Sequence, residues 1–300
     1  MTDTTDQAAG LRDRVEPTGT APRRQVPVLA IASGKGGVGK SNIAVNLSCQ
    51  LAKLGKRVLL FDADFGLGNT DILLGIPARY TLAEVVLEGR RLEEIALHLE
   101  SGVTLIPAGS GEFSLANAET MLLEGIFFEL ERFIARYDIV IVDTGAGIGQ
   151  RVRDTLLFSD QIAIITTPDP ASLTDSYATV KMVAQRDPAK PFAVIVNMAD
   201  RPSQAEATFA QLARVAKKYL NLTLESWGGI PNDERVAAAI RRQKAVTECF
   251  PNTPASVAIG KIAAKIVNKP FVQGGGGSGV RGFLRQFFRQ REEGRVAVTV

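Results

Sequence analysis

Ten residues, 33–42, constrain this chain more than any others. They read SGKGGVGKSN and lie between an apolar run at 26–32 and a stretch of helical periodicity at about 40–54. Gly34, Gly36, Gly37 and Gly39 remove the Cβ atoms that would keep successive backbone N–H groups from converging on an anion. A helix starting near Lys40 turns its positive end toward the same point. With Val38 and Asn42 completing the cradle, Lys40 can reach the β- and γ-phosphates of a nucleotide and the Ser41 hydroxyl can bind Mg2+. Such a strand, loop and helix unit belongs at the carboxyl edge of a parallel sheet.

Apolar runs at 26–32, 57–61, 103–106, 138–142, 161–166, 191–196 and 226–230 predict strands. Helical stretches fall at about 40–54, 117–136, 172–186, 203–219, 232–242 and 254–267. Strands alternating with long helices imply βαβ units with right-handed crossovers. The expected fold class is α/β, a mostly parallel, doubly wound sheet of about seven to eight strands in one domain over residues 26–268. A flexible arm (1–25), a glycine-rich linker (269–279), an amphipathic segment (280–291) and a short tail (292–300) complete the chain.

Two further segments carry carboxylates toward the loop. In LLFDADFGLGNTD, Asp62 closes a strand and Asp64 enters the following loop, whereas Asp71 reads as a turn or cap residue. In DIVIVDTGAG, four apolar residues end in Asp143, a placement suited to the Mg2+ hydration shell, and Gly145 and Gly147 allow the next loop to move.

With Lys35 after the first glycine, the motif GKGGVGKS resembles the deviant Walker A box of the MinD/ParA family of P-loop NTPases. The resemblance implies an ATPase using ATP and Mg2+, dimerising in its ATP state so that Lys35 acts across the interface. It makes Lys35, Lys40 and Asp64 catalytic, Asp64 orienting the attacking water, and gives Asp62 a share of the Mg2+ water shell with Ser41 and Asp143. It also assigns adenine contacts to Asn197 and to the loop holding Pro231 and Asp233. Within the family, DTGAGIG, TTPDPASLTDSYATVK and the segment DQAAGLR at 6–12 resemble the flagellar-number regulators of the FlhG (FleN, YlxH-like) branch. In that branch the arm acts on the GTPase FlhF, which gives Gln7, Leu11 and Arg12 partner-binding roles. Gly68 stands where alanine is expected, a difference without evident consequence.

Near the end of the chain Val280, Phe283, Leu284, Phe287 and Phe288 recur at helical spacing, with Arg281, Arg285 and Arg289 on the opposite side. An aromatic face backed by arginines suits an anionic membrane surface. Two such helices in a dimer bind far more tightly than one. Residues 280–300 carry a net +3, equal to the formal charge of the whole chain, so the body offers no charge-based case for nucleic acid.

Cys49 and Cys249 are far apart in sequence and His98 stands alone, so neither a disulfide framework nor a zinc site is expected. The lack of cluster-binding cysteines also separates the chain from the nitrogenase iron protein and Mrp-type relatives. The reading is a cytoplasmic switch, peripheral on the inner membrane face when ATP-bound, that sets flagellar number and placement. Its partners would be FlhF, basal-body proteins and a flagellar transcription regulator. A MinD-type division regulator, or an adaptor whose hydrolysis is incidental, remains open.

Overall fold

A computed structural model describes residues 26–64, 68, 70–107, 129–269 and 271. The expectations for the arm (Gln7, Leu11, Arg12), for the linker from 272 onward and for the tail helix lie outside these residues.

Eight strands form one sheet in the order β3-β4-β2-β5-β1-β6-β7-β8. They are β1 (Val28–Ala32), β2 (Val58–Ala63), β3 (Leu97–His98), β4 (Thr104–Ile106), β5 (Ile139–Thr144), β6 (Gln161–Thr166), β7 (Phe192–Ala199) and β8 (Glu225–Pro231). Every pairing is parallel except β3 with β4. That hairpin escaped the sequence reading because β3 has only two residues, too few for a period. There His98 Nδ1 meets Thr104 Oγ1 at 3.1 Å, an ordinary cross-strand contact.

All five residues of β1 are buried, as a central parallel strand covered on both faces requires. Leu29 and Ile31 face a core shared with helix α1 (Lys40–Lys53) and the carboxyl-terminal helices; Ala30 and Ala32 face the helices that follow β5, β6 and β7. Short helices α2 (Thr70–Leu73), α3 (Leu82–Glu88) and α4 (Leu92–Ile95) fill the β2–β3 connection. They were not foreseen, being too short to show a 3.6-residue repeat. Then come α5 (Gln150–Phe158), α6 (Pro170–Ala184), α7 (Pro202–Leu220), α8 (Glu234–Arg241), α9 (Val246–Cys249) and α10 (Pro254–Asn268). No described helix is long and apolar enough to cross a membrane. Cys49 is buried in α1, and burial pushes its thiol up to about 12, consistent with an inert packing role.

Buried polar groups lock these layers in register. The Asp160 carboxylate accepts the Val28 N–H at 2.8 Å, and Lys190 donates to the Leu157 and Ser159 carbonyls at 2.7 and 2.8 Å, closing the end of α5. The phosphate-loop helix is fixed in the same way. Asn46, fully buried in α1, donates to the Asn42 carbonyl at 2.8 Å, and its Oδ1 accepts both the backbone N–H and the hydroxyl of Thr247 at 3.0 Å. The chain enters β1 at the amino edge of the sheet. Lys269, paired with Glu225 at 2.7 Å, ends α10 at that same edge.

Removing the Asn46 amide strands two buried donors of Thr247. Asn46→Ala is expected to lower unfolding free energy by about 2–3 kcal/mol in a urea titration, with its slope unchanged.

Candidate functional site

Strand β1 delivers the glycine loop to the carboxyl edge of the sheet, and Gly39 forms the N-cap of α1 in the left-handed region, φ 85°. No side chain caps α1 and its first turn holds no acid, so its leading amides are free for an anion. Helices α6, α8 and α10 are instead capped by Asp169, Asp233 and Thr253. Glycine at 39 serves space as well as φ, since a Cβ there would stand 2.6 Å from Asn197 Nδ2. At Gly34 a Cβ would lie 2.2 Å from the Asp175 carbonyl of α6, which presses the loop from the side. The outer turn, at Gly36 and Gly37, meets nothing.

Below the loop, strand register sets Asp62 beside Asp143 on β2 and β5. Lys40 forms a buried ion pair with Asp143. Asp62 receives the Asp64 N–H at 3.0 Å and the Thr70 N–H at 3.3 Å, and the Thr70 hydroxyl reaches Asp143 at 3.4 Å. Burial, reinforced by the Asp143 charge, pushes the Asp62 carboxyl up to about 6. Of the two buried carboxylates only Asp143 is paired with Lys40, so the cluster is short of positive charge. The donor set of Ser41, Asp62 and Asp143 is all hard oxygen, as Mg2+ demands.

Asp64 enters the loop beyond β2, with its carboxylate beside Gly145; a Cβ on Gly145 would lie 3.6 Å from Asp64 Oδ1. The Gly147 N–H donates to the Ser33 carbonyl at 3.0 Å, stitching the β5 loop to the glycine loop. Gly68 is not inert, contrary to expectation. A Cβ there would come within 2.7 Å of the Asp64 carbonyl and 3.1 Å of Asp62 Oδ2.

Lys35 stands on the exposed rim, where its ammonium pairs with Asp169 at 2.9 Å, both side chains nearly half exposed. The pairing raises the lysine pKa and lowers that of Asp169. Asp169 also caps α6 through the Ala171 N–H, a clue present in the sequence as Asp169-Pro170 but read only as family resemblance. Thr70 was missed because one threonine beside Asp71 carries no pattern. Asp71 behaves as expected, closing a turn on the Ala78 N–H at 2.9 Å.

On the other side of β1, Asn197 is buried and donates its amide to the Val38 carbonyl at 2.8 Å, so it braces the loop directly. Pro231 ends β8, and both carboxylate oxygens of Asp233 are engaged, one by Arg235 N–H in α8 and one by Ala255 N–H in α10.

Residues 29–246 match the CobQ/CobB/MinD/ParA nucleotide-binding domain profile. The chain belongs to this MinD/ParA family. It is 39% identical over 246 residues to the antiactivator FleN of Pseudomonas aeruginosa, covering 82% of this chain and 88% of FleN. With the flagellum site-determining protein YlxH of Helicobacter pylori it shares 37% over 242 residues, 80% and 82% of the two chains. Its fold matches the septum site-determining protein MinD complexed with Mg-ADP from Pyrococcus horikoshii, with TM-score 0.66, 22% identity and 81% and 96% coverage. This is a FlhG-like MinD/ParA protein.

In the absence of ligand, Asp62 binds a proton more tightly folded than unfolded. Stability contributed at low pH is therefore lost as pH rises from about 4 through about 6 and stays lost above. Asp62→Asn should flatten that fall and stabilise the ligand-free protein at pH 7 by on the order of 1–2 kcal/mol, read by urea unfolding at pH 5 and 7.

Proposed function

We propose that this chain hydrolyses ATP with Mg2+ and uses ATP occupancy to dimerise and to engage a membrane, thereby setting the number and placement of flagella. The observation that carries the reading is the negatively charged cluster of Asp62 and Asp143 beneath an uncapped helix start, with Lys35 exposed at its rim.

The amides of residues 36–41 and the Lys40 ammonium would hold the phosphates, and Ser41, Asp62 and Asp143 would hold Mg2+ through its water shell. When bound, Mg2+ supplies neutralisation of charge on the phosphate oxygens. Lys40 would then exchange its bond to Asp143 for bonds to phosphate. Asp64 would hold the attacking water in line, its carboxylate beside the movable Gly145.

Lys35 would leave Asp169 and cross to the partner's nucleotide. An exposed ion pair of this kind is worth about 0–1 kcal/mol, so giving it up costs little. Asp169 would thus hold the lysine at home in the monomer.

Support for the flagellar role comes from likeness to FleN and YlxH. The arm residues Gln7, Leu11 and Arg12 would act on FlhF. The tail helix, with Phe283, Leu284, Phe287 and Phe288, would enter the membrane surface. The residues just before β1 and Lys269 at the end of α10 both stand at the amino edge of the sheet, opposite the phosphate loop.

Sedimentation with anionic liposomes tests the coupling. ATP, and not ADP, should bring the full chain down, while Lys35→Ala and a truncation after Gln273 should stay in solution. Equal sedimentation of the wild type with either nucleotide would defeat the switch.

A further inference from the structure

Thr70 opens α2 against the carboxylate cluster and is almost wholly buried. Among the described residues it alone donates to both buried acids. Its N–H reaches Asp62 Oδ2 at 3.3 Å, and its hydroxyl reaches Asp143 Oδ2 at 3.4 Å. The two remaining oxygens are taken as well, Asp143 Oδ1 by Lys40 and Asp62 Oδ1 by the Asp64 N–H at 3.0 Å. A valine would fill the same space without a polar atom, so packing alone does not call for the hydroxyl.

The turn that presents Thr70 is tied down on its outer side. The Ile72 carbonyl accepts Gln243 Nε2 at 3.1 Å, and Gly75 lies so close that a Cβ there would stand 3.1 Å from Gln243 Cβ. Asp71 closes the same turn on the Ala78 N–H. The hydroxyl is therefore aimed by a fixed element.

Lys40 is the movable member of the cluster. If it leaves Asp143 for phosphate, the acid that must then hold the water shell of a cation loses its charged donor. Of the described groups only the Thr70 hydroxyl stays on it. That contact is longer than the roughly 2.7–2.8 Å of a well-formed O–H···O bond, so it has room to shorten once the lysine has gone. We propose that Thr70 is a positioning residue for the cation. With one donor on each acid it fixes the spacing of Asp62 and Asp143, and its hydroxyl keeps Asp143 aimed when Lys40 departs. This rests on the nucleotide reading and adds to it a residue that acts on Mg2+ only through the two carboxylates. Donors placed behind metal ligands orient them and set affinity for the ion.

Calorimetric titration of the full chain with ADP, in Mg2+ and again in EDTA, tests it in the wild type, Thr70→Val, Thr70→Ala and Thr70→Ser. Valine keeps the shape and the backbone N–H, alanine removes the hydroxyl by another route, and serine retains it. Valine and alanine should weaken ADP in Mg2+ by about tenfold, while serine stays within about twofold of the wild type. None should change ADP binding in EDTA, which also reports that each variant is folded. Unchanged affinity in Mg2+ for valine and alanine would overturn the proposal. So would equal weakening in Mg2+ and EDTA, which would make Thr70 a brace for α2, or a serine variant no better than valine. A wild type that binds no ADP, or whose affinity ignores Mg2+, would instead remove the nucleotide reading and this proposal with it.

Discussion

The buried pair of Lys40 and Asp143 is the interaction around which the site is built. A lysine in the interior is tolerated only with a charge partner, and here the partner sits on the neighbouring strand β5, within the same parallel register that sets Asp62 beside it. The arrangement neutralises one carboxylate and leaves the other, which answers with a raised pKa. The cluster is thus closed on itself yet short of one positive charge. A phosphate can take the lysine and a divalent ion can take the carboxylates, so both arrivals relieve what the fold has strained. Thr70, reaching Asp143 from α2, ties the connection after β2 to the same point.

The surrounding scaffold holds this geometry from behind. Asn46 locks α1 to the segment at Thr247, Lys190 closes the end of α5, and Asp160 fixes the start of β1. These polar contacts lie deep between layers that are otherwise apolar, where an unpaired partner would be costly. Rim residues are held far more loosely. Lys35 has one exposed partner, Asp169, and the loop at Gly145 and Gly147 is tethered to Ser33 by a backbone bond. A rigid base under a lightly held rim is what a ligand-controlled interface requires.

The parts of this design that repeat or punctuate were legible in the sequence. Seven of the eight strands, the glycine loop and the order of Asp62, Asp64 and Asp143 could be placed because β-branched runs, glycines and strand-end acids leave marks in one dimension. What could not be read depends on approach through space. Thr70 meets Asp143 across 73 positions and Lys35 meets Asp169 across 134, and neither separation has a local signature. The Asp233 carboxylate takes the Arg235 N–H in α8 and, 22 positions on, the Ala255 N–H in α10, and the second contact leaves no local mark in the sequence. Gly68 became significant only once Asp62 and Asp64 were seen to close around it.

The proposed nucleotide-gated dimerisation would join the buried charge cluster to the exposed lysine, and the lysine to any membrane response. Its most direct test is the molar mass in solution, by light scattering after gel filtration, of Asp64→Ala with Mg-ATP and with Mg-ADP. Without Asp64 to orient water, ATP should persist, giving twice the monomer mass in ATP and the monomer mass in ADP. A single mass in both nucleotides, whether monomer or dimer, would rule out coupling of dimerisation to the nucleotide.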